Sequence, residues 1–439
     1  MKYTLVGAGA IGGTMAAWVS KAGGEILYVD AVKEHVDAMN SRGLTILNPG
    51  GEDFCVPVKA CMIDQLEEPL EVVFLAVKSQ HTRNAMEKIA PLLKPDGYVV
   101  SLQNGINEPV IAEYVGEERV VGAFVNWAAD YIEPGVIRFG GQSNFSIGEL
   151  NGNITERLYS LREFLAPFTA VELSRNIMGH LWSKQVNISA MFATGVTDLG
   201  ISKGFDFPET QETIAGLALE AMAVPEKIGV ELTEFEDFSP SLYKKGCYGE
   251  ALKQTADHYR VMAKDYTGLY RDLAVRKRKS EIDGTVGFTV ELGEKMGLKL
   301  PLNRRLMEIV KEIEAGKRRI GLENLLDLKA RYETVYGEID VIKSERKSTI
   351  QTEPAVRSRN IVETQGFCYN GGEHLTIEKE AGAYVHQLSA AMGHSKGARH
   401  EERGLAACRR SDYKYDCQHG KGRAYQHENA AAYLRDAEL

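Results

Sequence analysis

Short apolar runs alternate with helix-period stretches over the first 130 residues. The runs at 3–6, 25–29, 72–77, 98–102 and 120–124 are rich in Val and Leu and too short for buried helices. They predict strands covered on both faces, as in a parallel sheet. Between them, 11–22 and 82–93 read as helices. That alternation predicts a doubly wound sheet of the Rossmann type. Around Pro134-Gly135 the pattern predicts a hairpin, with short strands at 136–139 and 144–147. From about Glu172 the period becomes helical: 175–196, 210–228, 254–272, 280–295 and 302–315 each carry an apolar face. The expected fold is α/β: a doubly wound parallel sheet over 1–170, then an all-α domain over 171–337.

Residues 338–439 differ from both. Only 15 of these 102 positions are Leu, Ile, Val or Phe, about 15%, below the roughly 20% at which a chain stops burying a core. This segment is expected to be a poorly ordered extension. Six of the ten histidines fall in it, and Cys408, Cys417 and His419 lie close together, but their spacing matches no zinc pattern. No metal is expected.

Charge and composition exclude other classes. The net charge is -9, so there is no basic surplus to neutralise nucleic-acid phosphates. Arg276-Lys277-Arg278-Lys279 is a short exception that suits an anionic ligand or a solvated helix end. No apolar stretch reaches the roughly 18 to 20 residues of a membrane span. A signal peptide is not expected, because 1–6 already reads as a strand. Six cysteines without a C-x-x-C pair read as free thiols of a cytoplasmic protein.

Gly7-Ala8-Gly9-Ala10-Ile11-Gly12 lies between the first strand and first helix. In such a G-x-G-x-x-G turn the glycines permit a tight bend, close approach of backbone to a pyrophosphate, and close packing of helix on strand. Gly7, Gly9, Ala10, Ile11 and Gly12 are therefore candidate dinucleotide-binding residues. Asp30 ends the second strand, 18 residues after Gly12. A carboxylate there accepts from ribose hydroxyls and repels a 2′-phosphate, which favours NAD(H) over NADP(H). The alternative is a turn or cap aspartate.

Four further segments, in order, are Leu75-Ala76-Val77-Lys78-Ser79-Gln80, Leu102-Gln103-Asn104-Gly105, Leu181-Trp182-Ser183-Lys184 and Ser280-Glu281-Ile282-Asp283. With the glycine turn, this ordered set resembles the ketopantoate reductase family over about residues 1–335. The first two lie where physics alone would seat a ligand, outside the carboxyl ends of parallel strands. The resemblance implies NAD(P)H-dependent reduction of a 2-oxo acid, in the first instance 2-dehydropantoate to pantoate. It implies that Lys78 contacts cofactor, that Asn104 serves nicotinamide and substrate, that Lys184 is the general acid and that Glu281 hydrogen-bonds substrate and that lysine. A lysine suits the acid role when desolvation lowers its pKa. Helical spacing puts His180, Lys184, Asn187 and Met191 on one face, which makes Asn187 a candidate substrate ligand. Each residue also has a plainer reading, as a solvated lysine, a turn Asn-Gly, or a Ser280-x-x-Asp283 capping box.

Two departures bear on the substrate. The family's asparagine four residues after the lysine is Ile188 here, and its serine pair falls in Thr267-Gly268-Leu269-Tyr270-Arg271-Asp272, where Gly268 has no hydroxyl. Another branched or sugar-derived 2-oxo acid is therefore an alternative substrate. A dinucleotide-binding redox sensor without turnover is the alternative from another class. The helical domain is the expected surface for any homodimer.

Overall fold

The Val- and Leu-rich runs form the centre of a parallel sheet in the computed structural model, which describes residues 1–67, 69–141, 144–262 and 265–337. In chain order the strands are β1 (Tyr3–Val6), β2 (Ile26–Asp30), β3 (Leu44–Leu47), β4 (Phe54–Val56), β5 (Lys59–Met62), β6 (Leu70–Leu75), β7 (Leu93–Ser101), β8 (Val120–Val125), β9 (Ala129–Glu133), β10 (Val136–Phe139), β11 (Phe145–Glu149) and β12 (Glu172–Leu173). The main sheet runs β12-β11-β8-β7-β6-β1-β2-β5. Its pairs from β5 through β8 are parallel, and β11 joins β8 antiparallel. The chain reverses direction across the sheet on either side of β1, where crossovers leave a crevice at the carboxyl ends. Leu5, Val73, Phe74 and Val99 are fully buried, because helices cover both faces.

The helices on the sheet half are α1 (Ala10–Lys21), α2 (Lys33–Arg42), α3 (Thr82–Ile89), α4 (Glu108–Val115) and α5 (Glu156–Leu165). Beyond β12 comes the long α6 (Ile177–Gly195), buried along most of its length with Trp182 at its centre. Gln211–Lys227, Tyr248–Val261, Phe288–Lys295, Pro301–Glu314 and Leu322–Tyr332 pack around it as further helices. The fold expected from periodicity, a parallel sheet followed by helices, is the one observed.

Three local expectations need correction. The hairpin at Pro134-Gly135 joins β9 to β10 and belongs to a second sheet, β4-β3-β10-β9, whereas the run at 144–147 enters the main sheet as β11. The helix expected over 254–272 is instead Tyr248–Val261, and a new helical turn starts at Gly268 because the Thr267 hydroxyl accepts the Tyr270 N–H at 3.0 Å. The Ser280 capping box does not form. The Ser280 hydroxyl donates to Glu314 at 2.7 Å, Asp283 pairs with Lys311, and the chain passes through a π-helical turn, Asp283–Gly287, before Phe288–Lys295.

No helix among the described residues is long and apolar enough to cross a membrane. Cys55, Cys61 and Cys247 are free thiols. The expectations for 338–439, including Cys408, Cys417 and His419, lie outside the described residues.

Candidate active site

The turn after β1 is shaped by what its glycines cannot carry. Gly7 has φ +96, and a Cβ on it would come within 2.7 Å of the Ala76 carbonyl carbon. A Cβ on Gly12 would strike the Gly7 carbonyl oxygen and Ala76, so helix and strand approach only because both are glycine. Gly9 differs: a Cβ there would meet nothing within 4 Å. Its backbone thus faces open space at the start of α1, which has no side-chain cap and no acid in its first turn. Ala10 and Ile11 supply that first turn. Free N–H groups of this kind suit the phosphates of a dinucleotide, and the turn fits one.

Behind the turn stands His35 of α2, 1% exposed. Its Nδ1 accepts the Gly135 N–H at 2.9 Å, and Nε2 lies 2.9 Å from the Ala8 carbonyl oxygen. A backbone N–H can only donate, so Nδ1 carries no proton and Nε2–H donates to Ala8. One neutral imidazole therefore ties the glycine turn to the β9–β10 hairpin. At the end of β2, Asp30 Oδ1 accepts the Val32 N–H at 3.0 Å, the turn role that sequence had left open.

The ends of β6 and β7 are joined by side chains. Gln103 donates to the Val77 carbonyl and to Thr82, both at 2.8 Å. Ser79 donates to the Asn104 carbonyl at 2.7 Å, and Asn107 donates to the same oxygen at 2.8 Å. Gly105, at φ +89, lets this loop pass close to the Gly284 carbonyl. Asn104 is thereby fixed with its side chain toward α6.

There Lys184 donates to Asn104 Oδ1 at 2.9 Å and to the Val125 carbonyl, its ammonium 5.8 Å from the centre of the Phe124 ring. Burial lowers its pKa to about 8, opposed by the charges of Asp237 and then Glu281. The stem of Lys184 keeps some exposure, while the ammonium is enclosed by these groups. Lys184 is thus an ammonium able to give up a proton near neutral pH.

Glu281 is placed otherwise than expected. It lies 3.9 Å from Lys78 Nζ and acts on Lys184 through charge. Lys78 also lies 3.4 Å from Asp272, which is 6% exposed and receives Arg276 and Arg278 as well. Arg271 donates to both oxygens of Asp130, at 2.6 and 2.7 Å. These pairs link the sheet half to the helical half across the crevice.

Asn187 is also differently engaged. Its Nδ2 donates to Asp237 at 2.9 Å, and residue and acid are buried to 3% and 2% exposure. Burial raises the Asp237 pKa, opposed by His258 and by the Asn187 hydrogen bond. The amide thus serves a buried acid beside Lys184 instead of standing free. His180 packs against Phe124. His35 and Asp237 carried no sequence signal, because each acts across the fold from a polar helix or a loop, and Ser79 lay within a recognised segment without a role assigned to it. Asp272 lay within a recognised segment but without an evident partner.

Residues 3–152 match the family described as Ketopantoate reductase PanE/ApbA, and residues 176–314 match Ketopantoate reductase PanE/ApbA C terminal. The chain is 28% identical over 320 residues to 2-dehydropantoate 2-reductase of Aquifex aeolicus, spanning 72% of this chain and 97% of the relative. It is 27% identical over 341 residues to the enzyme of that name from Mesorhizobium japonicum, spanning 71% and 98%. A PanE/ApbA family ketopantoate reductase from Ralstonia eutropha superposes with TM-score 0.62 at 27% identity, over 72% of this chain and 99% of that one. A D-mandelate dehydrogenase solved with NADH and anilino(oxo)acetate shares the fold, with TM-score 0.62 at 22% identity over 72% and 99%.

Proposed function

The chain belongs to the ketopantoate reductase family, a family of NAD(P)-dependent oxidoreductases acting on CH–OH groups, and from that premise we propose that it reduces a 2-oxo acid to the 2-hydroxy acid with Lys184 as the proton donor. The observation that carries this is an enclosed ammonium with a lowered pKa, held by Asn104 and Val125 at strand ends of the same parallel sheet whose first strand leads into the glycine turn. Bound nicotinamide dinucleotide supplies a hydride to the carbonyl carbon. The chain's own residues do the rest. The α1 N-terminus and Gly9 hold the phosphates, and Asp30 accepts from the ribose hydroxyls, favouring NADH. Asn104 orients the Lys184 ammonium and offers its amide to the substrate side. As the carbonyl oxygen gains charge, Lys184 donates a proton to it, and the C=O becomes CH–OH. Glu281 and Asp237 keep the lysine charged until that step. Lys78 remains in this reading as a cofactor contact that Asp272 and Glu281 hold at the strand end. The protein works in the cytoplasm, and a homodimer would form through the helical half.

In the first reading the substrate is 2-dehydropantoate. A second reading, another 2-oxo acid, is favoured by Gly268, which leaves open space beside the site. NADH and NADPH oxidation with 2-dehydropantoate and a panel of 2-oxo acids tests both. Turnover of any of these acids supports the reductase, whereas tight NADH binding with none reduced points to a non-catalytic sensor.

A further inference from the structure

The crevice has a basic rim that the proposed chemistry leaves unused. It is the run Arg276-Lys277-Arg278-Lys279, exposed throughout, which follows the π-helical turn Arg271–Val275. The chain folds back there: the Arg276 N–H donates to the Arg271 carbonyl at 2.8 Å, and the Arg278 N–H to the Asp272 carbonyl at 3.0 Å. The reversal passes through Lys277 in the left-handed conformation, φ +48, which non-glycine residues rarely adopt.

This fold-back turns the arginines inward and leaves the lysines outside. Arg276 and Arg278 reach Asp272 Oδ1 at 3.3 and 2.8 Å, on the carboxylate that also takes Lys78. Arg276 lies 3.6 Å from Asp130 as well, beside Arg271. Lys277 and Lys279 form no ion pair with an acid among the described residues. A solvated helix end would leave its arginines in water. Here one buried acid collects Lys78, Arg276 and Arg278, and only Asp130 and Glu281 among the described residues share the load. The rim therefore keeps a positive surplus on a chain whose net charge is -9.

Its position gives that surplus a use. Lys78 follows closely on the end of β6 at Leu75, so the rim borders the carboxyl ends of the parallel strands, where a ligand enters an open α/β sheet. An acidic chain repels an anion from afar, and the local field decides the approach within roughly a Debye length, about 10 Å at 0.1 M salt. We propose that Lys277 and Lys279, on the scaffold that Arg276, Arg278 and Asp272 fix, form an electropositive rim that draws the anionic dinucleotide into the crevice and raises its association rate. The proposal rests on the cofactor reading above and adds a capture surface to it.

The test is stopped-flow fluorescence of NADH binding to the full chain at about 0.01 M and about 1 M salt, between which the Debye length falls from about 30 Å to about 3 Å. At low salt, Lys277→Gln combined with Lys279→Gln should slow association about three- to tenfold and leave dissociation within about twofold of the parent. At high salt the association rates should converge. Replacing both lysines by Glu should deepen the low-salt loss. Lys21→Gln combined with Lys59→Gln removes the same charge at the amino end of the sheet, from the end of α1 and the start of β5. That control should associate within about twofold of the parent rate at either salt. An equal loss in the control, a loss that persists at high salt, or a change confined to dissociation overturns the proposal and leaves the cofactor reading standing. Absence of NADH binding at both salts overturns the cofactor reading, and the proposal with it.

Discussion

Asn187 donates its side-chain amide to Asp237 at 2.9 Å and so anchors a buried acid one turn along the helix from Lys184. This changes the part assigned to the asparagine. It holds a carboxylate whose charge opposes the lowering of the pKa of Lys184, the proposed proton donor, by burial, ahead of Glu281.

Asp237→Asn removes that charge while keeping shape. The protonated lysine is the active form for reduction, so turnover falls as pH rises through the Lys184 pKa, about 8 in the parent. Without Asp237 the ammonium is less favoured, its pKa drops, and the alkaline fall in kcat should move to lower pH. A pH profile superimposable on the parent's would remove Asp237 from this role.

Lys184→Ala should lower kcat by about 10²- to 10⁴-fold, the usual contribution of a positioned general acid. NADH titration by fluorescence should still show binding near the parent value. Turnover within a few-fold of the parent would sink the mechanism.

His35→Leu cuts both hydrogen bonds that hold the glycine turn. The expected result is a KM for NADH raised about tenfold, with kcat changed far less, because proton donation lies elsewhere. His35→Asn, which can still accept from Gly135, should recover part of the loss. A fall in kcat at unchanged KM would contradict this.

Asp30→Ala should narrow the preference for NADH over NADPH by reducing repulsion of a 2′-phosphate. The measured quantity is the ratio of kcat/KM for the two cofactors, and an unchanged ratio would confine Asp30 to its bond with Val32.

Glu108 opens α4, is 0% exposed, and has its pKa pushed up to about 7 by burial. Between the ordinary glutamate value and about 7 the folded state binds more protons than the unfolded one, so stability falls as pH rises across that window. Glu108→Gln mimics the neutral form and should raise the melting temperature at pH 8 while changing it little at pH 5. A larger gain at pH 5 than at pH 8 would reverse the assignment.

Periodicity made the parallel sheet legible because its strands are buried on both faces, and the glycine turn was legible because its position between strand and helix is local. The four-stranded sheet was not. Ile46 of β3 pairs with Ile137 of β10, a contact between distant segments whose short runs alternate instead of reading as continuous apolar stretches. Within the site, spacing gave the face of α6 that carries Lys184 and Asn187. Spacing could not say that a loop acid, Asp237, would occupy the asparagine's amide. Likewise, the apolar period over 254–272 continues past the point where the Thr267 cap starts a new helix, since periodicity does not register a break that preserves the buried side.

The imidazole of His35 has a kinetic consequence. Because Gly135 and Ala8 are held to it from behind, the fold itself braces the glycine turn proposed to take the dinucleotide. Little ordering entropy is then spent on association. Cofactor capture should proceed at a rate set by encounter with an open crevice, without a slow rearrangement step, and residence time alone should distinguish tight from weak dinucleotides.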